Sequence, residues 1–194
     1  FWRGLCLDKA GRLWIGTNGM GLYCYDTTRF ELFQKEQGLP SNRVNCMTED
    51  AKGVLWVGTK SGLVRYDGAT FCRVELAGTG NFQEGSSVTA LLRDHEGHIW
   101  IGTEIGAEYG ELYHYDDRTL LDYTGLKGNS ALTSLAEDKE GRIWFGFRKW
   151  GFGYYEDGQV HRFLGYPAKD CPVLVQGMLV DRQGAVWIGS CAPW

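Results

Sequence analysis

A chain of 194 residues with 43% hydrophobic content has apolar surface enough for a substantial core, which excludes a disordered polymer. The net charge of −4 and a pI near 5.6 supply no positive field, and no run of Lys and Arg creates one locally, so nucleic acid and anionic lipid are disfavoured as partners. No apolar run approaches the length of a membrane span, so this stretch is not expected to insert into a bilayer.

The first unit spans residues 1–43. Its opening apolar strand ends in the turn Asp8-Lys9-Ala10-Gly11, and the strand Leu13-Trp14-Ile15-Gly16-Thr17 follows. Asp at the first turn position accepts hydrogen bonds from turn amides, and Gly tolerates the positive φ of a hairpin bulge. A glycine-rich loop leads to a third strand, Leu22-Tyr23-Cys24-Tyr25-Asp26, and a fourth begins at Phe30 with Phe33 three residues on.

The second unit, 44–87, repeats the order. Val44 to Glu49 is a mainly apolar run without strict alternation, as expected of a strand covered on both faces. Asp50 to Gly53, Leu55-Trp56-Val57-Gly58-Thr59, Leu63 to Asp67 and Phe71 to Val74 follow. The third unit, 88–131, carries Asp94 to Gly97, Ile99-Trp100-Ile101-Gly102-Thr103, Leu112 to Asp116 and Leu120. The fourth, 132–174, carries Asp138 to Gly141, Ile143-Trp144-Phe145-Gly146-Phe147, Phe152 to Glu156 and Val160. The last, 175–194, stops after Asp181 to Gly184 and Val186-Trp187-Ile188-Gly189-Ser190. The tryptophans are 42, 44, 44 and 43 residues apart, a period at which one supersecondary unit stacks on copies of itself.

Four short strands per period, joined by tight turns, make an antiparallel meander. A sheet apolar on both faces must pack against its copies, and radial packing covers all of them while leaving only short edges. The expected fold is therefore all-β: a single incomplete β-propeller domain over 1–194, with four-stranded blades of about 43 residues, four and a half in number. Turn signals every 8 to 12 residues leave no room for helical repeats. The tryptophans are expected between blades, and the glycine two residues after each is expected to allow a close approach of backbone or a bend. The five turn aspartates read as structural.

The pattern of an apolar strand, Asp-x-x-Gly, Leu-Trp-Ile-Gly-Thr, Gly-Leu, Tyr-Asp and Phe, followed by Gly38-Leu39-Pro40-Ser41-Asn42-Arg43-Val44, resembles the two-component regulator propeller repeat. The resemblance covers the whole chain in five copies. It implies the extracytoplasmic sensor of a bacterial hybrid histidine kinase or related receptor, located in the periplasm or outside the cell. It also implies further blades, an immunoglobulin-like domain, a membrane span and an output domain elsewhere in the protein. Several family members look like detectors of polysaccharide fragments. Since the chain starts at Phe1 within a repeat and stops within another, it reads as a segment of a longer protein. An open arc with two apolar blade faces exposed is expected, needing either the remaining blades or a second copy to cover them.

Residues shared by all units are structural, so specificity belongs to the departures. The third unit inserts Glu104-Ile105-Gly106-Ala107-Glu108-Tyr109-Gly110 between its second and third strands. The fourth replaces the motif threonine with Phe147 and continues Arg148-Lys149-Trp150-Gly151. In a propeller, these loops and those leading into the next blade share one face around the channel. The candidate ligand site is Glu104, Glu108, Tyr109, Arg148, Lys149 and Trp150, with Asn18 and Lys60 in the corresponding loops of the first two units. Aromatic side chains offer a platform for a sugar ring, planar polar ones bond its hydroxyls, and Arg148 suits an acidic sugar.

No catalytic motif emerges. His95 and His98 flank a hairpin turn, not one turn of helix, and His114 and His161 on strands read as packing or solvent-facing residues. Gly16 to Gly21 is not followed by a helix and so is not a phosphate loop. Cysteines 6, 24, 46, 72, 171 and 191 show no metal-ligand spacing; four or more read as buried strand residues, with Cys171 and Cys191 the best disulfide candidates. No cofactor or metal is expected. The preferred reading is a non-enzymatic sensor of an oligosaccharide or similar polar ligand; a propeller lyase or hydrolase and a protein-interaction scaffold are the alternatives.

Overall fold

The computed structural model describes residues 2–75, 86–106, 109–116, 120–122, 131–149, 151–163 and 174–191. Four antiparallel four-stranded sheets and a two-stranded one follow each other along the chain, each in simple meander order. They are β1 (Trp2–Leu7) to β4 (Phe30–Phe33) through β2 (Leu13–Thr17) and β3 (Leu22–Tyr25); then β5 (Val44–Glu49), β6 (Leu55–Thr59), β7 (Gly62–Tyr66) and β8 (Phe71–Val74). The third sheet is β9 (Ser87–Arg93), β10 (Ile99–Glu104), β11 (Leu112–Tyr115) and β12 (Leu120–Asp122). The fourth is β13 (Leu132–Glu137), β14 (Ile143–Phe147), β15 (Phe152–Glu156) and β16 (Gln159–Phe163), and the fifth is β17 (Leu174–Val180) with β18 (Val186–Cys191). A short 3₁₀ turn at Lys35–Gln37 is the one helical element among the described residues. First strands pack on first strands from sheet to sheet, which makes an arc of propeller blades that does not close into a ring.

Each turn aspartate does two jobs. In the second blade, Asp50 Oδ1 accepts the amides of Lys52 and Val54 at 2.8 and 2.9 Å, and Gly53 takes a φ of 83°. Its other oxygen accepts the indole N–H of Trp56 at 3.1 Å. The same bond recurs from Trp14 to Asp8 at 2.8 Å, from Trp100 to Asp94 at 2.8 Å, from Trp144 to Asp138 at 2.6 Å and from Trp187 to Asp181 at 2.7 Å. The six-residue spacing is thus the reach of a charge-assisted bond that ties the turn to the strand it starts and satisfies a buried donor.

The first three tryptophans lie between blades, each covered by the third strand of its successor. Trp14 meets Tyr66 with ring centroids 5.5 Å apart, Trp56 meets Tyr115 at 5.2 Å, and Trp100 meets Tyr155 at 5.5 Å. Trp14 is 1% exposed, whereas Trp187, with no described third strand beyond it, is 61% exposed. Leu5 and Leu7, on the outward face of the first blade, are 66% and 70% exposed. Both ends of the described arc therefore present apolar faces.

The motif glycines of the first four blades make room for a neighbouring side chain, where the sequence implied a close approach of backbone or a bend. A Cβ on Gly16 would lie 2.8 Å from Val44 Cγ1, one on Gly58 2.7 Å from Val88 Cγ1, one on Gly102 2.3 Å from Leu132 Cδ2, and one on Gly146 2.3 Å from Val175 Cγ1. Each of those partners opens the next blade. Asn45, Thr89 and Thr133, each following one of these partners, sit at bulges from which their side chains reach one blade further. Asn45 Nδ2 donates to Val88 O at 2.9 Å, and Thr133 Oγ1 donates to Val175 O at 2.7 Å.

Two further expectations change. The first strands are not covered on both faces: in β5 only Val44 is fully buried, because these strands line the centre of an open arc. Of the cysteines, Cys24 is buried, Cys6 and Cys46 are half-buried, and Cys72, on an outermost strand, is exposed; all four are free thiols. Burial pushes the Cys46 and Cys6 thiols up, which keeps them protonated and unreactive. Cys171 and the side chain of Cys191 lie outside the described residues.

Candidate functional site

The loops between second and third strands share one face with the segments entering the next blade. Asn18 bridges Arg43 across the first two blades, and the amides of Gly19 and Gly21 donate to Asn42 O at 3.2 and 2.8 Å. The motif threonine shapes this rim. Thr17 Oγ1 donates to Gly21 O at 2.7 Å and Thr59 Oγ1 to Gly62 O at 2.9 Å, so each closes its own loop. The residue that follows therefore stands at one equivalent position per blade: Asn18, Lys60, Glu104 and Arg148. Asn18, Lys60 and Arg148 are exposed, and backbone bonds from Lys60 N to Arg43 O and from Arg148 N to Ala131 O hold two of them in place.

Of the residues singled out from the sequence, Glu104 and Arg148 meet directly. Arg148 Nη1 lies 2.7 Å from Glu104 Oε1, an ion pair from the third blade to the fourth. Both partners are reached by water, so the pair adds about 0–1 kcal/mol to stability. Its larger effect is to hold a planar guanidinium in one orientation at the rim.

The inserted segment extends the second hairpin of the third blade. Ile105 and Tyr109 exchange backbone bonds at 2.8 and 3.3 Å, and Gly106 adopts a φ of 62°. The return is anchored by Glu111, buried, whose side chain accepts the Tyr113 hydroxyl and whose amide donates to Thr103 Oγ1 at 3.2 Å. Tyr109 is left 55% exposed. Lys149 is exposed beside Arg148, while Glu108 and Trp150 lie outside the described residues.

The opposite face carries a constellation that the sequence did not disclose. Asp94, His98 and His114 bring their ligand-type atoms within 4.8 Å of one another. Asp94 and His114 open on a cleft of about 400 Å³ between the third and fourth blades. Burial, and then the neighbouring His98, hold the pKa of His114 below the ordinary imidazole value. The available signal was the register: His114 stands opposite Trp100 across β10 and β11, but the insertion between those strands hides that pairing in a linear reading.

Repeated blades, interdigitated between neighbours and bearing a variable polar rim, define a propeller-repeat protein. Residues 1–19, 38–61, 83–104 and 125–149 match the model of the two component regulator propeller, so the chain carries four copies of that repeat. No curated protein matches the chain. Among solved structures it is similar to the extracellular domain described for the hybrid two component system BT4673 of B. thetaiotaomicron, with 22% identity, a TM-score of 0.80, and 97% of this chain and 26% of that one covered. The corresponding domain of BT3049 from the same organism shares 28% identity at a TM-score of 0.76, covering 96% of this chain and 25% of that one. Virginiamycin B lyase from Staphylococcus aureus is similar at 16% identity and a TM-score of 0.77, covering 96% of this chain and 62% of that one, which is a likeness of fold alone. The chain thus spans about a quarter of the length of the two extracellular domains.

Proposed function

We propose that this chain is part of the extracytoplasmic, non-enzymatic sensor propeller of a bacterial signal-transduction receptor, and that its rim takes an oligosaccharide or similar polar ligand. The match to the two component regulator propeller carries the sensor reading, and the likeness to extracellular domains of two-component systems supports it. The Glu104–Arg148 pair beside exposed Tyr109 carries the ligand reading. An ion-paired guanidinium and carboxylate offer donors and acceptors to vicinal hydroxyls, and an exposed phenol ring offers an apolar platform. If the sugar is a uronate, its carboxylate competes with Glu104 for Arg148.

Calorimetric titration with panels of neutral and uronate-containing oligosaccharides tests this. Saturable binding by the wild type, weakened at least tenfold in Arg148→Ala and in Tyr109→Ala with unchanged melting temperatures, is the expected result. Binding indifferent to both substitutions refutes the rim as the ligand site.

A further inference from the structure

In each of the first four blades, two side chains flank the indole that bonds the turn aspartate. One stands four residues after the aspartate; the other lies opposite the tryptophan on the third strand. In the first blade these are Arg12 and Cys24, in the second Val54 and Arg65, in the fourth Arg142 and Tyr154. Each of those blades thereby sets one arginine by its tryptophan: Arg12 at 5.3 Å from the Trp14 ring centre, Arg65 at 5.4 Å from Trp56, and Arg142 at 5.9 Å from Trp144. In two of them the guanidinium also bonds the aspartate oxygen that takes the indole N–H, Arg12 Nε at 2.7 Å from Asp8 Oδ2 and Arg142 Nε at 2.6 Å from Asp138 Oδ2. That oxygen therefore has a second acceptor site with a standing cationic occupant.

The third blade places histidine at both positions. Asp94 Oδ2 keeps its bond from Trp100 at 2.8 Å, but His98 Nδ1 lies 3.7 Å and His114 Nε2 3.9 Å away, beyond hydrogen-bond length. His98 Nδ1 is shut off from water and makes no hydrogen bond among the described residues, although Glu96 Oε2 stands 3.3 Å from it. A buried nitrogen aimed at a carboxylate and stopping short of it leaves room for something between them. The adjoining cleft is lined by Glu137, Glu140, Glu156 and Asp157 besides Asp94, so its field draws cations inward.

We propose that Asp94, His98 and His114 form a binding site for a divalent cation of the zinc class, seated where other blades hold a guanidinium. Two imidazole nitrogens and a carboxylate oxygen select zinc or its neighbours over magnesium and calcium, which take oxygen. In a tetrahedral zinc site neighbouring ligand atoms stand about 3.3–3.5 Å apart, so the observed 3.7 and 3.9 Å close by a few tenths of an ångström on binding. Glu96 is the nearest further oxygen donor. The cation would clip the first turn of the blade to its third strand, as the Trp–Asp bond clips it to the second. The site lies on the face opposite the proposed ligand rim, so its test is independent of that reading.

Zinc chloride titrated calorimetrically into the chelator-treated 194-residue chain, with nuclear magnetic resonance of the histidine side chains, decides the matter. One zinc per chain is expected, with a melting temperature that rises with zinc concentration and with shifted signals for His98 and His114 but not His161. His98→Arg restores the arrangement of the first and fourth blades; it should weaken zinc binding at least tenfold while leaving the metal-free melting temperature within a degree or two. His114→Tyr, which copies the fourth blade, should do the same, and His95→Ala should leave the affinity unchanged. Absence of saturable binding, an affinity indifferent to both His98→Arg and His114→Tyr, or binding lost in His95→Ala alone overturns the proposal.

Discussion

Blade spacing in this fold is set by a glycine facing the first residue of the next blade, and Gly58→Ala measures what that spacing is worth. The new methyl group would lie 2.7 Å from Val88 Cγ1, 3.1 Å from Val88 Cβ and 2.5 Å from Cys46 Sγ. Carbon atoms in contact prefer about 3.5–4.0 Å, so the two blades must part by close to an ångström or Val88 must turn. Val88 is fully buried and β-branched, and turning it drives a second methyl into the same wall. Overpacking of this kind costs about 1–3 kcal/mol, against which alanine recovers about 0.5–1 kcal/mol by restricting the unfolded chain. A net loss of roughly 1–2 kcal/mol is expected in urea unfolding followed by tryptophan fluorescence. Gly189→Ala is the matched control, because the nearest atom to its methyl is Gly177 O at 3.6 Å; it should be neutral or slightly stabilising. Pairing Gly58→Ala with Val88→Ala should show a coupling above about 0.5 kcal/mol. Equal effects at Gly58 and Gly189, or no coupling to Val88, would refute the spacing argument.

Other consequences are open to the same kind of measurement. Trp56→Ala should cost about 3–5 kcal/mol, and Trp187→Ala, at a site 61% exposed, much less; similar losses at the two would contradict coverage by the next blade. Burial raises the pKa of Asp138, yet the bonds from Trp144 and Arg142 outweigh it and hold its carboxyl below the ordinary carboxylate value; Asp8 is held down in the same way by Trp14 and Arg12. A pKa lower in the folded than in the unfolded state contributes stability that is present above the unfolded value, about 4, and lost as pH falls through the folded one. The melting temperature should accordingly hold between neutral pH and about 5, then fall below about 4, with a shallower acid limb in Asp138→Asn. Because Leu5, Leu7 and Trp187 leave apolar faces open, the 194-residue chain should self-associate in sedimentation velocity; a monodisperse monomer with a cooperative, high-temperature melt would count against this.

The blade pattern was legible because its cause is local. Trp, Gly and Asp recur at fixed offsets, and each offset is the reach of one contact: the indole–carboxylate bond at six residues, and the gap for Val44, Val88, Leu132 or Val175 at the glycine. The rim was legible for a related reason, since a departure from a repeat stands out against its copies, as Glu104 and Arg148 do. What escaped were contacts set by strand pairing and by the packing of blades. Neither the reach of Asn45 to Val88, nor the convergence of His98 and His114 on Asp94, depends on adjacent residues. The first follows from the packing of one blade on the next, and the second from the pairing of Trp100 with His114, which the longer β10–β11 loop conceals.

A ligand is proposed to meet this protein at the rim. Amide hydrogen exchange, with and without an oligosaccharide shown to bind, maps that meeting most directly. Slowed exchange concentrated at Glu104 to Gly106, Tyr109 and Arg148 to Lys149, with the Asp-x-x-Gly turns of the opposite face unchanged, is the predicted result. Protection confined to those turns, or to the outer strands, would contradict it.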